Sequence, residues 1–319
     1  MSELHPQNRP IIFVVVSPSF IDDWENLQRA LDVLSQQDQG MRITTEPAGP
    51  RVIISGMSGL HLELICDRLF HEFKIPLDVG KPEVIYRETI RKRSEAEAKY
   101  IRQVGGRGQY AHVKLGLEPG QPESGYQFVD RSPENAVPRQ FVEPINSGIQ
   151  EAMKTGVLGG NEIVDVQAVL RDGSYHVEGS NEMAFKIAGS MAFKEAARKA
   201  SPVLLEPVMA VEVATPEDYA GVIMGDLSSR RGRIEGMEHR AGSQVIKAIV
   251  PLAEMFGYAT HMRSSTQGRA EYSMHFARYE DAPDNGKSGA DDVGVTANKP
   301  KCPKPKSAFT AAQPDELSE

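Results

Sequence analysis

The residues best suited to chemistry lie in a glycine-rich stretch from Val104 to Tyr110. Glycine carries no side chain, so three glycines within seven residues allow a tight, exposed tip that can approach another backbone closely. Arg107 stands among them, and its planar guanidinium can bind a phosphate through two parallel hydrogen bonds. An ordinary glycine hairpin with a solvated arginine produces the same pattern, and the spacing leaves both interpretations open.

A polar loop from Asp172 to Met183 is the second candidate. It follows a predicted strand at Ile163–Leu170 and leads into a predicted helix, which Ser180 or Asn181 can cap. His176 can donate to a backbone or ribose oxygen and can become charged beside phosphates. A lone histidine in a loop is more often an ordinary surface residue, and the sequence does not exclude that interpretation.

The third candidate is the segment Gly225–Arg233, where three arginines gather at the end of a predicted helix that Gly232 closes. Arginines in a last turn complement the helix dipole, and this alone explains their position. The same clustering also forms a patch that can bind an anion. The sequence supports both interpretations equally.

Other groupings do not indicate a catalytic or metal site. His61, Cys66 and His71 are five residues apart in one predicted helix, so successive pairs are turned by about 140° and share no face for a metal. The string Asn285–Ser288 is similar to part of a phosphate-binding loop, but Asp281 occupies the position of its first glycine. The 319 residues contain no Walker A motif. We therefore expect no catalytic residue, no metal and no cofactor.

Length and composition predict a soluble protein of two or three domains, because 319 residues exceed what one hydrophobic core usually serves. Hydrophobic residues make up 40% of the chain, and no apolar run approaches the roughly eighteen residues of a membrane span. The N-terminus lacks the layout of a secretory signal. Cys66 lies in an apolar pattern and Cys302 in a polar tail, which favours a reducing cytoplasm over a disulfide framework.

Charge is distributed unevenly along the chain, whose formal net charge is -8. Residues 1–80 carry 6 Lys and Arg against 11 Asp and Glu, whereas residues 84–110 carry 7 against 3. A local basic stripe on an acidic body suits a protein that presents one face to RNA. Besides Arg107, the basic residues of this stretch are Arg87, Arg91, Lys92, Arg93, Lys99 and Arg102.

Hydrophobic periodicity predicts the order βαββαβ for the first part of the chain. The predicted elements are a strand at Pro10–Val16, a helix from Ile21 to Leu34, strands at Met41–Thr45 and Arg51–Ser55, a helix at Gly59–Phe73 and a strand at Ile75–Val79. Two helices on one face of such a four-stranded antiparallel sheet form the ferredoxin-like arrangement.

The same order returns near the other end. The predicted elements are Val208–Val213, the helix Pro216–Arg231, the strands Gly232–His239 and Gln244–Val250, the helix Leu252–Ser265 and the strand Arg269–Arg278. Alternating polarity in the last of these is typical of a half-buried strand. We expect an α+β protein in which two ferredoxin-like domains flank a different middle domain.

The middle domain is predicted to contain strands and two helices. Its elements are strands at Val84–Arg91 and Ala111–Leu117 and helices at Phe141–Lys154 and Glu182–Lys199. These patterns divide the chain into a flexible N-terminus at 1–9, domains at 10–82, 83–203 and 204–280, and a tail at 281–319. The tail is predicted to be disordered, because it is rich in lysine, proline and glycine and has almost no large apolar residues.

Several strings, in one order, resemble the C-terminal half of bacterial translation elongation factor G. They are Ile54-Ser-Gly-Met-Ser-Gly-Leu-His-Leu-Glu63, Gly80-Lys-Pro-Glu-Val-Ile-Tyr-Arg-Glu-Thr-Ile90, Gly105-Gly-Arg-Gly-Gln-Tyr110, Pro202-Val-Leu-Leu-Glu-Pro207, Gly225-Asp-Leu-Ser-Ser-Arg-Arg-Gly232 and Glu254-Met-Phe-Gly-Tyr-Ala-Thr260. The resemblance runs from about Pro10 to Tyr279. It implies that the three domains are similar to the family's third, fourth and fifth domains, and it does not include the GTPase domain.

The resemblance also implies which residues function. In the family, the tip of the fourth domain enters the ribosomal A site and contacts tRNA and mRNA. The matching residues here are Gly105, Gly106, Arg107, Gly108, Gln109, His176, Glu178, Ser180 and Asn181. The fifth domain of the family contacts ribosomal RNA, and the residues that fall on that side are Arg230, Arg231, Met255, Phe256 and Tyr258.

One departure concerns the tip itself. After His176 this chain reads Val-Glu-Gly-Ser-Asn, where the family more usually has an acidic residue, valine, aspartate and two serines. We expect a non-catalytic, ribosome-binding module that acts in translocation or ribosome disassembly, with a separately encoded GTPase half as a partner. The alternative is a decoupled remnant or regulator that competes with full-length elongation factor G.

Overall fold

The computed structural model describes residues 10–45, 49–104, 107–133, 135–240 and 242–283, with the backbone alone for residues 103, 104, 107 and 108. The described residues up to Ala282 belong to one compact unit, which contains three sheets and their helices. This architecture confirms the predicted α+β class. The predicted flexible N-terminus at 1–9 lies outside the described residues. Of the predicted disordered tail at 281–319 only residues 281–283 are described, and Asp281 is the last residue of a strand, Glu271–Asp281.

The first sheet has the strand order β2-β3-β1-β4, and each pair of neighbours is antiparallel. Its strands are β1 (Ile12–Pro18), β2 (Arg42–Thr45), β3 (Val52–Gly56) and β4 (Leu77–Val79). Helix α1 (Trp24–Gln37), which follows a 3-10 turn at Ile21–Asp23, and helix α2 (Gly59–His71) supply apolar side chains to the same core. The predicted ferredoxin-like order is therefore confirmed.

His61 has a structural role in this first domain. Its Nε2 lies 2.6 Å from Asp38 Oδ2, and its Nδ1 accepts a hydrogen bond from the Met57 N–H at 3.2 Å. Ser58 caps α2 by accepting from the His61 N–H. These contacts fasten the start of α2 to the residue that follows α1.

The last sheet repeats the topology of the first, with the order β12-β13-β11-β14. Its strands are β11 (Pro202–Thr215), β12 (Arg233–Arg240), β13 (Ser243–Pro251) and β14 (Glu271–Asp281), with helices α5 (Glu217–Ser229) and α6 (Tyr258–Ser265). All strand pairs in it are antiparallel. The second ferredoxin-like arrangement is thereby confirmed as well.

The middle sheet has the order β7-β8-β10-β9, in which β9 and β10 run parallel. It consists of β7 (Ser94–Val104), β8 (Arg107–Pro119), β9 (Tyr126–Asp130) and β10 (Val166–Ser174). Helices α3 (Val142–Thr155), after a 3-10 turn at Arg139–Phe141, and α4 (Glu182–Lys199) form its core with the sheet. These helices pack closely, since a Cβ on Gly148 would lie 2.0 Å from the Lys186 carbonyl oxygen.

The prediction of a single strand at Val84–Arg91 in the middle domain is wrong. The segment instead forms β5 (Glu83–Val84), which pairs with β1, and β6 (Arg87–Ile90), which pairs with the start of β11. An apolar pattern reports that a strand is buried, but it does not report which sheet receives the strand.

Glu88 lies at the centre of this connection and is fully buried. Its Oε2 accepts hydrogen bonds from the N–H groups of Val157 at 2.7 Å and Leu158 at 3.0 Å. Its Oε1 accepts from Gly159 at 3.0 Å and Asn161 at 3.2 Å. A buried carboxylate needs such donors because burial without them is costly. We call Glu88 and residues 156–161 the Glu88 joint.

None of the helices in the described part of the chain is long and apolar enough to cross a membrane.

Candidate nucleic-acid interface

The long hairpin of β7 and β8 carries the first predicted loop at its end. The two strands stay in register from Ser94 opposite Leu117 to Val104 opposite Arg107. Gly105 and Gly106 lie outside the described residues, and Arg107 and Gly108 are described by their backbone alone. Gln109 follows on β8 and is half-buried. The described part of this antiparallel ribbon therefore ends at Val104 and Arg107, and the predicted tip at Gly105 and Gly106 lies outside the described residues.

The second predicted loop connects β10 to α4. Asn181 has the extended backbone of a helix N-cap, and its side-chain oxygen accepts the Ala184 N–H at 2.8 Å. Of the two candidates for the cap, the structure thus selects Asn181. Ser180 has a different role, which brings the two loops together.

Two backbone groups of Tyr110 bind the second loop. Its N–H donates to the Gly179 carbonyl oxygen at 2.8 Å, and its own carbonyl oxygen accepts from Ser180 Oγ at 2.7 Å. The same Ser180 hydroxyl accepts the N–H of His176 at 2.9 Å. We call this assembly, residues 101–110 where described together with 174–181, the latched tip.

The side chain of Tyr110 reinforces the latch. Its ring lies 4.1 Å from the His176 ring, measured between centroids and tilted by 58°. Its hydroxyl lies 2.7 Å from Ser174 Oγ, which in turn lies 3.1 Å from His112 Nδ1. Glu97 Oε2 is 3.5 Å from the other ring nitrogen of His112, close enough for an ion pair when the imidazole is protonated but without hydrogen-bond geometry.

The outer side of the latched tip faces solvent. His176 and Glu178 are exposed, and Val177 is 89% exposed. On the hairpin, Lys99 and Arg102 are exposed cations on β7. The structure therefore combines an aromatic and imidazole surface with nearby positive charge, and Glu178 is the acidic exception on the loop.

The predicted site residues of the last domain divide into two groups. Arg231 forms a bidentate ion pair with the buried Glu206, at 2.9 and 2.8 Å, and its Nε bonds Glu254 Oε1 at 3.2 Å. The hydrogen bond with Glu206 outweighs partial burial and raises the pKa of Arg231. Arg230 bonds Asp226 Oδ2 at 3.2 Å and the Glu254 carbonyl oxygen at 2.5 Å. Internal partners therefore use much of both guanidinium groups.

The aromatic and apolar residues beside these arginines differ in exposure. Tyr258 is fully buried and Met255 is 5% exposed, so their side chains cannot form the surface contact expected from the resemblance. They belong to the core of the last sheet, and burial raises the pKa of the Tyr258 hydroxyl. Phe256 is 40% exposed and is the member of this segment that a partner can reach.

Sequence reasoning missed Tyr110 and Ser174 as parts of the site. A signal was available for Tyr110, because Ala111 and Val113 on β8 are buried and alternation places Tyr110 on the other face of the sheet. No pattern in the neighbouring sequence predicts that Tyr110 contacts residues 176–180. It depends on β10 pairing beside β8, which brings Ser174 opposite His112.

Comparison with known proteins assigns the chain in three adjoining segments. Residues 8–81 match the family model described as elongation factor G, domain III. Residues 82–201 match elongation factor G, domain IV, and residues 203–288 match the elongation factor G C-terminus.

A solved structure agrees with this assignment. A crystal structure of a protein from Thermus thermophilus matches with a TM-score of 0.67 and 36% sequence identity. The match covers 89% of this chain and 42% of that chain, so the present chain spans less than half of its solved relative. The family matches in sequence order and the shared fold confirm the predicted resemblance: the chain belongs to the elongation factor G family through its third, fourth and C-terminal domains.

Proposed function

We propose that this chain is a ribosome-binding module of translation that places its middle domain in the A site during translocation or ribosome disassembly. The observation that carries the proposal is the latched tip, in which the glycine-rich hairpin and the His176 loop form one unit. The chain belongs to a family of elongation factors, and this tip lies in its domain IV segment. The proposed mechanism is steric and electrostatic, and it takes place in the cytoplasm.

Electrostatics support an RNA partner for the tip. Binding to phosphates releases counterions, so exposed cations near the end of the hairpin give a salt-sensitive attraction even on an acidic protein. Lys99 and Arg102 are exposed on β7, and Arg107 begins β8. We infer that these residues meet the phosphates of A-site tRNA and mRNA, while exposed His176 meets ribose or base groups.

The last domain supplies a second proposed contact, with ribosomal RNA. Exposed Phe256 offers a ring on which a base can stack. Arg230 and Arg231 support this segment, because both bond to Glu254 beside it. Their proposed role is to hold this segment in place and to attract RNA phosphates with the exposed part of their guanidinium groups.

A GTPase-bearing polypeptide is the proposed second partner. The family segments that this chain matches are domain III, domain IV and the C-terminus, and the match covers 42% of the solved relative. The competing proposal, favoured by the same facts, is a regulator that occupies the site of full-length elongation factor G without moving tRNA. Translation assays separate the two. A competitor should inhibit translation when added alone, whereas a module that acts with a GTPase should stimulate translation only when the GTPase half is supplied.

Co-sedimentation with 70S ribosomes tests the binding proposal. We expect binding that weakens steeply between about 50 and 200 mM salt. Arg107→Ala should weaken binding and reduce the slope of log K against log salt by about one. Arg29→Ala is the matched control, because Arg29 is an exposed arginine of the first domain that pairs with Glu25. Absence of salt-sensitive binding, or equal slopes for Arg107→Ala and the wild type, would contradict the proposal.

A further inference from the structure

Tyr110 contacts the His176 loop with both its main chain and its side chain. The Tyr110 N–H and carbonyl oxygen bond Gly179 and Ser180, and the ring lies against the His176 imidazole. The hydroxyl bonds Ser174, where β10 ends and the loop begins. One half-buried residue of the hairpin thus holds both ends of the loop that carries His176.

The loop is compact because its own hydrogen bonds converge on His176. The carbonyl oxygen of His176 accepts the N–H groups of Gly179 at 3.2 Å and Ser180 at 3.0 Å. Its N–H donates to Ser180 Oγ, whose own proton goes to the Tyr110 carbonyl oxygen. Ser180 therefore uses one hydroxyl to close the turn and to fasten it to the hairpin.

The ring contact limits how the imidazole can be presented. With Tyr110 at 4.1 Å on one side, that side of His176 is covered, while the residue as a whole remains exposed. A side chain held in one rotamer loses less conformational entropy when it binds than a freely rotating one. Val177, the next residue of the loop, is 89% exposed.

We propose that Tyr110 is a positioning residue that orients His176 for its RNA contact, with Ser180 as its latch. This inference rests on the proposed function, because it assumes that His176 is the group that meets RNA. Tyr110 acts through His176 and does not itself need to touch the partner. The hairpin and the loop accordingly bind as one preorganised unit.

The test uses the full chain and two measurements. Nuclear magnetic resonance reports the His176 imidazole protons, which the Tyr110 ring shifts through its ring current, and titration with 70S ribosomes reports affinity. The variants are Tyr110→Leu, Tyr110→Phe, which keeps the ring and loses the hydroxyl, and Ser180→Ala. For the resonance measurement, Tyr175→Leu is the matched control, because it removes an aromatic ring from the same loop without changing the Tyr110 contacts.

We expect Tyr110→Leu to move the His176 resonances toward those of a solvated imidazole and to weaken ribosome binding about three- to tenfold. Tyr110→Phe should largely preserve the resonances, and Ser180→Ala should shift them. The double variant Tyr110→Leu with His176→Ala should bind ribosomes no more weakly than His176→Ala alone. The losses of affinity are not additive when one residue acts through the other.

Unchanged His176 resonances in both Tyr110→Leu and Ser180→Ala would overturn the inference, and so would additive losses of affinity. If Tyr110→Leu does not fold, the Ser180→Ala comparison decides. If the wild-type chain does not bind ribosomes, the proposed function fails, whereas the resonances still show whether Tyr110 orients His176.

Discussion

At the Glu88 joint a fully buried carboxylate accepts four backbone N–H groups, whereas at the latched tip a half-buried tyrosine and serine hold a loop that faces solvent. The Glu88 joint has no space for a side chain at Gly156. Gly156 has a φ of +59°, and a Cβ there would lie 2.5 Å from Glu88 Oε1. The middle domain is thus held rigidly at the Glu88 joint, near its start, and presents accessible side chains at the latched tip. Substitutions at the joint should therefore affect folding, and substitutions at the tip should affect binding.

The largest expected effect is that of Glu88→Ala, which leaves four N–H groups without their acceptor in a buried site. We expect the free energy of unfolding to fall by about 3 to 5 kcal/mol, from the cost of unsatisfied buried donors. Urea denaturation followed by circular dichroism measures it. Glu178→Ala, at an exposed glutamate of the tip, is the control and should stay within about 0.5 kcal/mol of the wild type. Similar losses for both variants would remove the distinction between joint and tip.

A smaller effect is expected where the tip meets the scaffold. Asn181→Ala removes the cap of α4 and should cost about 1 kcal/mol in the same denaturation experiment. Asn181→Asp keeps an acceptor for the Ala184 N–H and should remain close to the wild type. If the alanine and aspartate variants are equally destabilised, the cap does not account for the role of Asn181.

The smallest effect concerns the half-exposed pair of Asp38 and His61 in the first domain, which is intermediate between joint and tip in burial. Burial opposes ionisation of Asp38, but hydrogen bonds from His61 and from the Gly40 N–H outweigh it and lower the pKa of Asp38 below its ordinary 3.8. A lowered pKa in the folded state stabilises the protein above pH 3.8, and the stabilisation is lost as pH falls through the lowered pKa.

Asp38→Asn should accordingly lower the melting temperature slightly at pH 7, and the difference from the wild type should shrink as the pH falls below the ordinary aspartate range. Thermal melts of both proteins at pH 7 and in acid measure this difference. A constant difference at all pH values would show that the carboxylate charge is not responsible.

Periodicity and capping made most of the architecture predictable from sequence. The helices α1 to α6 and the repeated βαββαβ order follow from apolar residues at helical spacing and from strands separated by turn residues. Asn181 was one of two candidate caps, because a short polar side chain before an acidic first turn is a local signal. Such features depend on neighbours in sequence.

The features that the sequence did not predict depend on contacts between residues that are distant in sequence. Glu88 accepts hydrogen bonds from residues 157–161, and Arg231 pairs with Glu206 and Glu254, so neither partnership has a local pattern. The sequence also did not predict that Met255 and Tyr258 are buried while Phe256 is exposed. Their burial depends on the sheet against which they pack. The composition of the two loops made them candidates, but it did not predict that Tyr110 would join them.

Directed hydroxyl-radical probing tests whether the latched tip reaches the A site. A radical-generating reagent is attached through Val177→Cys in a Cys302→Ala background. Burial raises the pKa of the Cys66 thiol to about 11, which keeps it unreactive at neutral pH. Val33→Cys, at another exposed valine in the first domain, is the control. We expect cleavage of small-subunit RNA at the decoding centre from position 177 and not from position 33. No cleavage there from position 177, or equal cleavage from both positions, would contradict the account.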